Sequence, residues 1–482
     1  MSDNIAITFD RLKASEEVPG TYGEIDRSQA MRRFVGRVNR RVCLVGQMTA
    51  GGEAEVGSLE RIFDTDDLLT FFGAGSELDL MGRAALATDN LVELLAVAAD
   101  PQSGAVDAEA TMTFGGSAAT TDVMAEARIG NQYFTFAIET GESAGNVASA
   151  FADAVNNQVV LPVSAAVLSS IKVVVTAKCP GAAGNELTWE IATGDEITAS
   201  AGAFASGSGG LDTASVLPSL ISPALGFQPS HIVFSDAAET TLDDLRDHCD
   251  DLADPTVMAF CFGFGAFTGS LSEATALAAT QDDWWMNLAA VKTPSLSYEL
   301  AAAYAVAIAS EEDPARPRQG LVVKGVGAPL LDSDVWIHSE LQTLIENGVA
   351  PLIPNNRGEL VIVREVSTLV TESGGAETDV VWDHPIPDTA AYLITQWVAE
   401  LKRLFPRQKK YQGIHEDLRS ATLAFFRKMA DPAVALVWDP DGWADSVVFQ
   451  DHPNNPQRID GQADPQIVVG LRILALRLRI VF

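Results

Sequence analysis

A serine framed by glycines is the first feature of this chain with the makings of a reaction centre. Gly141-Glu142-Ser143-Ala144-Gly145 fits G-x-S-x-G and falls between an expected strand and an expected helix, the setting in which a nucleophile elbow presents a serine to an ester or amide carbonyl. Such a serine needs an imidazole within hydrogen-bond reach, and the first histidine in the sequence is His231. Ser143 serves equally well as the N-cap of the following helix, and that reading is adopted. Gly263-Phe264-Gly265-Ala266-Phe267-Thr268-Gly269 follows an expected strand and resembles a dinucleotide loop. Its G-x-G-x-x-x-G spacing is wrong, however, and its two phenylalanines would crowd a pyrophosphate, so it reads as a loop at a strand end and no cofactor is expected. The six histidines, His231, His248, His338, His384, His415 and His452, form no H-x-x-x-H or H-E-x-x-H pair, so no metal site is expected. Asp332-Ser333-Asp334 and Asp439-Pro440-Asp441-Gly442 read as turn and cap acids, since neither runs on into a calcium loop with its closing glutamate. Cys43, Cys179, Cys249 and Cys261 are scattered and read as reduced thiols; whether Cys179 and Cys249 oxidise is left open. No catalytic residue is assigned.

A second kind of chemistry, ionic docking, is written more clearly. Lys402, Arg403, Arg407, Lys409, Lys410, Arg419, Arg427 and Lys428 fall within residues 402–428, where Glu416 and Asp417 are the only acids, a local balance of +6 in a chain of formal charge -33. Part of this run complements the C-terminal dipole of its helix. The rest suits a patch that docks on an acidic partner, where complementary fields set register and association rate. The acidic whole argues against general nucleic-acid binding, because a phosphate backbone would be repelled by most of the surface.

The elements that must carry these residues follow from periodicity. The 482 residues suffice for two to four domains. The start has neither a basic nor an apolar leader region, and Leu300–Ala309 is too short to cross a bilayer, so a cytoplasmic protein without membrane insertion is expected. Arg40–Gly46 reads as a buried strand, Asp64–Leu86 as helices broken at Phe71-Phe72-Gly73, and Leu91–Ala98 as a further apolar segment. From about Ala108 alternating Thr, Val and Phe announce a small β-rich insertion with one helix, Asn146–Val155, and Ser206-Gly207-Ser208-Gly209-Gly210 reads as a flexible joint leading out of it. Strands at His231–Phe234 and Val257–Phe262 and helices at Leu242–Leu252, Ser272–Thr280 and Glu299–Ser310 imply a mainly parallel α/β layer. Strands at Leu321–Val323, Leu360–Val366 and Val380–Trp382, a helix from Ser333 to Asn347 closed by Gly348, and helices at Thr389–Phe405 and Ile414–Met429 complete the reading. At the end, Leu476, Leu478, Ile480 and Phe482 alternate with Arg477 and Arg479, a strand with one apolar face. It either closes the chain's own sheet or is lent to another copy by β-augmentation.

Several of these segments together are similar to the contractile tail sheath proteins of Mu-like phages. The resemblance is carried by Val18-Pro19-Gly20-Thr21-Tyr22, Arg41-Val42-Cys43-Leu44-Val45-Gly46-Gln47, Leu68 to Arg83 and Asp313-Pro314-Ala315-Arg316-Pro317. It continues through Ala328-Pro329 and the block from Leu341 to Leu352 that leads into Val361-Ile362-Val363-Arg364-Glu365-Val366. No one motif is diagnostic; their order and spacing are.

The resemblance implies an α/β and α+β multidomain subunit, not an enzyme, that polymerises with itself as stacked hexameric rings around a tail tube protein. It implies baseplate and tail terminator proteins as further partners, assembly in the host cytoplasm, residence in the virion, and contraction that drives the tube through the host envelope. A tailocin or other injection system is the nearer alternative, and a hydrolase using Ser143 the remote one. The implied division is an N-terminal arm (1–30), the first part of the core (31–105), an inserted β-rich outer domain (106–195), the joint (196–212), an outer or middle α/β domain (213–325), a C-terminal inner domain with the basic helix (326–465) and a C-terminal strand arm (466–482). The inner α/β domain would be built from both chain ends, with extended arms exchanged between subunits. Ile5, Ile7 and Phe9, and Leu471, Ile473, Leu476, Leu478, Ile480 and Phe482, would be donated; Val361, Ile362, Val363, Arg364 and Val366 would lie in the receiving sheet. Lys402, Arg403, Arg407, Lys409 and Lys410 are the implied tube contacts.

Overall fold

Four consecutive residues, Val42, Cys43, Leu44 and Val45, have no solvent exposure at all, so the first strand has to be covered on both faces. The computed structural model describes residues 40–194, 196–220, 228–371, 383–470 and 472. The expected arm residues Ile5, Ile7, Phe9, Leu471, Ile473, Leu476, Leu478, Ile480 and Phe482, and the strand Val380–Trp382, lie outside the described residues. The described chain divides into two units, residues 400–468 and a larger one holding the rest.

In the larger unit the chain runs β1 (Arg41–Gly46), β2 (Leu59–Ile62), α1 (Thr65–Phe72), α2 (Glu77–Thr88) and β3 (Glu93–Ala98). The insertion follows, with β4 (Glu109–Gly116), β5 (Val123–Ile129), β6 (Gln132–Ile138), α3 (Ala144–Asn157), β7 (Val163–Ser169), β8 (Lys172–Ala177), β9 (Trp189–Ala192) and β10 (Ile197–Ala201). A single turn α4 (Thr213–Val216) leads back to β11 (His231–Phe234), α5 (Glu239–Ala253), β12 (Phe262–Phe267), α6 (Leu271–Gln281), β13 (Met286–Ala290) and α7 (Ser297–Ala309). Then come β14 (Val322–Val323), α8 (His338–Glu346), β15 (Val349–Pro354), β16 (Leu360–Ile362) and the long α9 (Pro385–Leu404), of which the residues up to Ala399 belong to this unit.

Nine of these strands make one sheet in the order β14-β16-β15-β13-β12-β11-β1-β3-β2. The six from β15 to β3 are parallel, and antiparallel strands close both edges. Every residue of α7 is buried, as its unbroken apolar run of alanine, valine and isoleucine demands, and it packs against α2 and β12. The mainly parallel layer is therefore present. It joins 41–98 and 231–362 in one sheet, where the sequence reading had split them between a core part and a separate outer or middle domain.

The insertion forms two small antiparallel sheets, β10-β4-β8-β7 and β6-β5-β9, around α3. Phe151 of α3 meets Phe114, Phe134 and Phe136 with ring centroids 5.5, 6.1 and 5.7 Å away, an aromatic centre that explains the alternation of the strands. The run at 206–210 is no free joint. Ala205 and Ser208 bond back to Glu109 and Val106, and Leu211 bridges Pro101, so the outgoing chain is zipped to the incoming one. The small residues there permit that close approach, a use of glycine and serine that composition alone does not distinguish from flexibility.

Three further departures each have a physical cause. The strand expected at Val257–Phe262 is Phe262–Phe267, and the supposed glycine loop is its interior. A Cβ on Gly263 would lie 2.4 Å from Met286 Sδ and 3.0 Å from Leu245 Cγ, so these glycines let α5 press onto the sheet. The helix expected from Ser333 starts only at His338, because Trp336 turns into the core, where its Nε1 donates to the Ala290 carbonyl at 3.2 Å. At its end Gly348 has φ +73, and a Cβ there would meet Thr368 Cα at 2.8 Å. The strand β15 was not foreseen because of Pro351, which sits where β15 changes partner from β13 to β16 and so interrupts neither ladder.

Burial also sets a pH response. Glu77 opens α2, and its Oε2 accepts from the Gln47 backbone and the Ser235 hydroxyl, yet desolvation outweighs these bonds and pushes its pKa up to about 7. Desolvation likewise raises Glu299 to about 7. A carboxyl with a raised folded pKa binds more protons folded than unfolded, so stability is full below its ordinary value of 4.5 and falls as pH climbs toward 7. Glu77→Gln is expected to flatten this descent in a series of urea titrations between those pH values; an unchanged slope would mean that Glu77 is ionised in the fold.

In residues 400–468, α10 (Ile414–Met429) buries Phe425, Phe426 and Met429, with Trp443 edge-on to Phe426 at 5.0 Å. A hairpin of β17 (Val448–Asp451) and β18 (Ile459–Gln462) completes this unit.

Candidate functional site

In a doubly wound sheet the natural ligand crevice opens where strand order reverses, at the carboxyl ends of the two strands on either side. Here that point lies between β1 and β11. The residues just past those strands, Gln47 and Ser235, are tied together by the Glu77 carboxylate, and Gln47 Nε2 donates to the Pro180 carbonyl of the insertion at 2.6 Å. The cavity that remains beside Glu77, Cys179 and Tyr298 has a volume of about 20 Å³, room for one water at most. The crevice is plugged. Ser143 is an exposed N-cap, its Oγ accepting from the Asn146 backbone at 3.4 Å with φ -83, and so lacks the strained turn of a nucleophile elbow.

The concentration of charge lies elsewhere in the larger unit. Asp388 in the first turn of α9 receives Arg40 Nη2 at 2.5 Å and Arg318 Nη2 at 2.6 Å on the same Oδ2. Arg318 is wholly buried, and its backbone N–H donates to Glu365 Oε1 at 2.9 Å. Glu365, also without exposure, takes both terminal nitrogens of Arg472 at 2.5 and 3.1 Å, a forked pairing that fixes direction as well as distance. Arg472 Nε reaches Asp383 at 3.2 Å, and Asp383 also holds Arg364 at 2.7 Å. Two ion-paired groups, Arg40–Asp388–Arg318 and Glu365–Arg472–Asp383–Arg364, are thus joined by the backbone N–H of Arg318.

Electrostatics keep the chain of ion pairs charged. Burial works against the Asp388 carboxylate, but Arg40 and Arg318 together outweigh it and hold its pKa below the usual value. Burial and the two arginines push His231 and His384, which lie beside this node, well below their ordinary value, so both rings are neutral. His384 Nδ1 meets Asn287 Oδ1 at 3.0 Å, and His231 stacks on Phe264 at 5.0 Å.

The segment expected to lie in a receiving sheet has a definite place beside this node. Val361 pairs with Val322 on one side and Ile353 on the other, so β16 is interior. Val363 bonds to Pro351, Arg364 to Asp383, and Val366 bridges Asp383. A strand added from another copy cannot pair with Val361 or Ile362, whose two edges are filled. The beginning of the expected C-terminal arm is docked on its own chain: Trp438 donates to Gln466 at 2.8 Å and Val468 to Leu436 at 3.0 Å. The arm boundary at 466 is therefore too early.

In residues 400–468 the basic candidates divide. Arg403 forks onto Glu400 at 2.7 and 2.8 Å, with Lys428 on the same carboxylate at 3.4 Å, and the bond from Arg403 leads in pulling Glu400 down to about 2. Lys410 Nζ is held by Asp451 at 2.7 Å and the Pro456 carbonyl at 2.9 Å. Lys402, Arg407 and Lys409 are exposed and have no carboxylate partner among the described residues.

Residues 207–368 match the phage tail sheath protein central domain. The middle of this chain is a phage tail sheath domain. Over 491 aligned positions the chain is 25% identical to the Mu-like prophage FluMu tail sheath protein of Haemophilus influenzae, covering 98% of this chain and 99% of that one. Among solved structures, the sheath tail protein of Desulfitobacterium hafniense is 11% identical, with a TM-score of 0.49 over 94% of this chain and 98% of that one. The anti-feeding prophage helical sheath in its contracted state is also 11% identical, with a TM-score of 0.46 over 96% and 99%. The sheath domain spans β11 to β16 and supplies Arg318, Arg364 and Glu365, whereas Arg40, Asp383, Asp388 and Arg472 come from chain outside the matched stretch. Sheath proteins are structural, so the chain is not an enzyme. The ion-pair node was not foreseen. Its one sequence signal was Arg364-Glu365 inside the apolar run from Val361 to Val366, a charge pair that a buried strand tolerates only with partners.

Proposed function

We propose that this protein is the subunit of a contractile tail sheath that polymerises in stacked hexameric rings around a tail tube and contracts to drive the tube through a host envelope. The match of residues 207–368 to the sheath central domain carries this reading. Its neighbours in the particle would be further copies of itself, the tube, the baseplate and the terminator, with assembly in the host cytoplasm and genome delivery as the outcome. Strand exchange would use residues 5–9 and the residues beyond Arg472. Arg40 directly follows the N-terminal segment and Arg472 directly precedes most of the C-terminal strand, so the node gives both lent ends one rigid footing. Lys402, Arg407 and Lys409 would face the tube, having no competing carboxylate among the described residues, while Arg403 and Lys410 are engaged within the subunit.

The triple variant Lys402→Gln, Arg407→Gln, Lys409→Gln tests the reading. It is expected to leave the subunit soluble and folded, because these side chains are exposed, and to abolish decorated tubes in electron micrographs of sheath mixed with tube. Normal decoration would remove the basic patch from the mechanism. Purified wild-type protein that never forms rings or tubes, alone or with tube protein, would overturn the polymer itself.

A further inference from the structure

Two thiols that are twelve positions apart meet in the core of the sheath domain. Cys249 lies near the end of α5, and Cys261 directly precedes β12. Both are fully buried, and their sulfurs are 3.2 Å apart. We propose that Cys249 and Cys261 are a latent disulfide site, closed when the protein meets a disulfide oxidant outside a reducing cytoplasm. The sulfurs need to approach by about 1.2 Å to reach the S–S bond length of about 2.05 Å. The sequence reading had assigned no pairing and had left the oxidation of Cys179 and Cys249 open.

The reaction balances as thiol–disulfide exchange with oxidised glutathione. One cysteine loses its proton and attacks a glutathione sulfur, forming a mixed disulfide and releasing one glutathione thiolate. The second cysteine loses its proton and attacks the protein sulfur of that mixed disulfide, releasing the other glutathione thiolate. The two thiolates take up the two protons, so the protein loses two hydrogens and the oxidant is reduced by two electrons. Access is through the connection between the cysteines. Asp254, Pro255, Thr256 and Val257 are exposed, and the turn they form is held by bonds from Val257 and Met258 to the Asp254 carbonyl and from Ala259 to Leu252. Opening that turn uncovers both sulfurs without unfolding the sheet. The hydrogen bond with the Cys261 sulfur, and then burial, keep the Cys249 thiol protonated while the turn is closed, so the pair is slow to react in the folded, reduced protein.

The closed bond would staple the end of α5 to the start of β12 across a short loop and restrict the unfolded chain. The full-length protein is to be incubated with oxidised glutathione, unfolded in guanidinium with iodoacetamide, and digested with trypsin. Both cysteines fall in one tryptic peptide, Asp247 to Lys292. The expected result is that this peptide is two hydrogens lighter and unlabelled, that Cys43 and Cys179 are alkylated, and that the apparent melting temperature rises by several degrees and falls back with dithiothreitol. A double variant, Cys249→Ser with Cys261→Ser, is expected to show no oxidant-dependent shift. Two labels on that peptide after prolonged oxidation, or a cross-link of Cys249 to Cys43 or Cys179, would overturn the assignment. None of these outcomes depends on polymerisation, so the proposal fails or stands apart from the sheath reading.

Discussion

Replacing Asp388 with asparagine is expected to cost the folded subunit about 3–5 kcal/mol, the penalty for breaking a buried ion pair by removing one partner. The substitution keeps the shape of the side chain and removes only its charge. Arg40 and Arg318 both rest on Oδ2 of this carboxylate, and neither can move to water, since Arg318 is fully buried and the Arg40 side chain nearly so. Arg40 Nε and Nη1 and Arg318 Nε already lack partners among the described residues, so little spare bonding exists to take up the loss. Urea unfolding followed by tryptophan fluorescence checks the figure, and a loss below about 1 kcal/mol would show that the arginines are compensated by something other than Asp388. Because the Asp388 pKa is depressed in the fold, its contribution is present above the ordinary value of 3.8 and lost as pH falls through the folded value. The wild type and the variant should therefore converge in acid.

The second large effect is expected at Arg472. Arg472→Leu leaves the Glu365 carboxylate, which has no exposure, with the Arg318 backbone N–H as its remaining donor among the described residues, at a cost of about 3 kcal/mol. Glu365→Leu combined with Arg472→Leu is expected to recover much of that cost, since an apolar pair strands no charge, and the double-mutant cycle gives the coupling directly. The double variant also separates stability from assembly. If a stable subunit without this fork still forms sheath of normal length, the node steadies the monomer only; if sheath is lost from a folded subunit, the fork orients the chain end for exchange.

Legibility followed the physics of each signal. The helices of 385–404 and 414–429, and strands such as His231–Phe234, announce themselves because periodicity reports directly on burial. Glycine misled twice in the same way. In the strand at 262–267 it marked close helix–sheet contact, and at 206–210 close contact between two outgoing and incoming chain segments, while in the sequence each looked like slack. Short strands such as Leu59–Ile62 and Ile197–Ala201 carry too few residues to show a period, and Pro351 disguised a third. The ion-pair node escaped because Arg40, Arg318, Asp388 and Arg472 are far apart in the sequence, and only the fold makes them neighbours. The basic run was visible, but the division into Arg403 and Lys410, already paired, and Lys402, Arg407 and Lys409, available, needed Glu400 and Asp451 to be placed.

Among the described residues the main sheet ends in two stubs, four residues of β2 on one side and two of β14 on the other. Unpaired backbone is the template on which strands of separate molecules fuse into fibrils, and a stub that short offers hardly a rung to grip. Copies held at high concentration are thus expected to resist edge-to-edge fusion of this sheet.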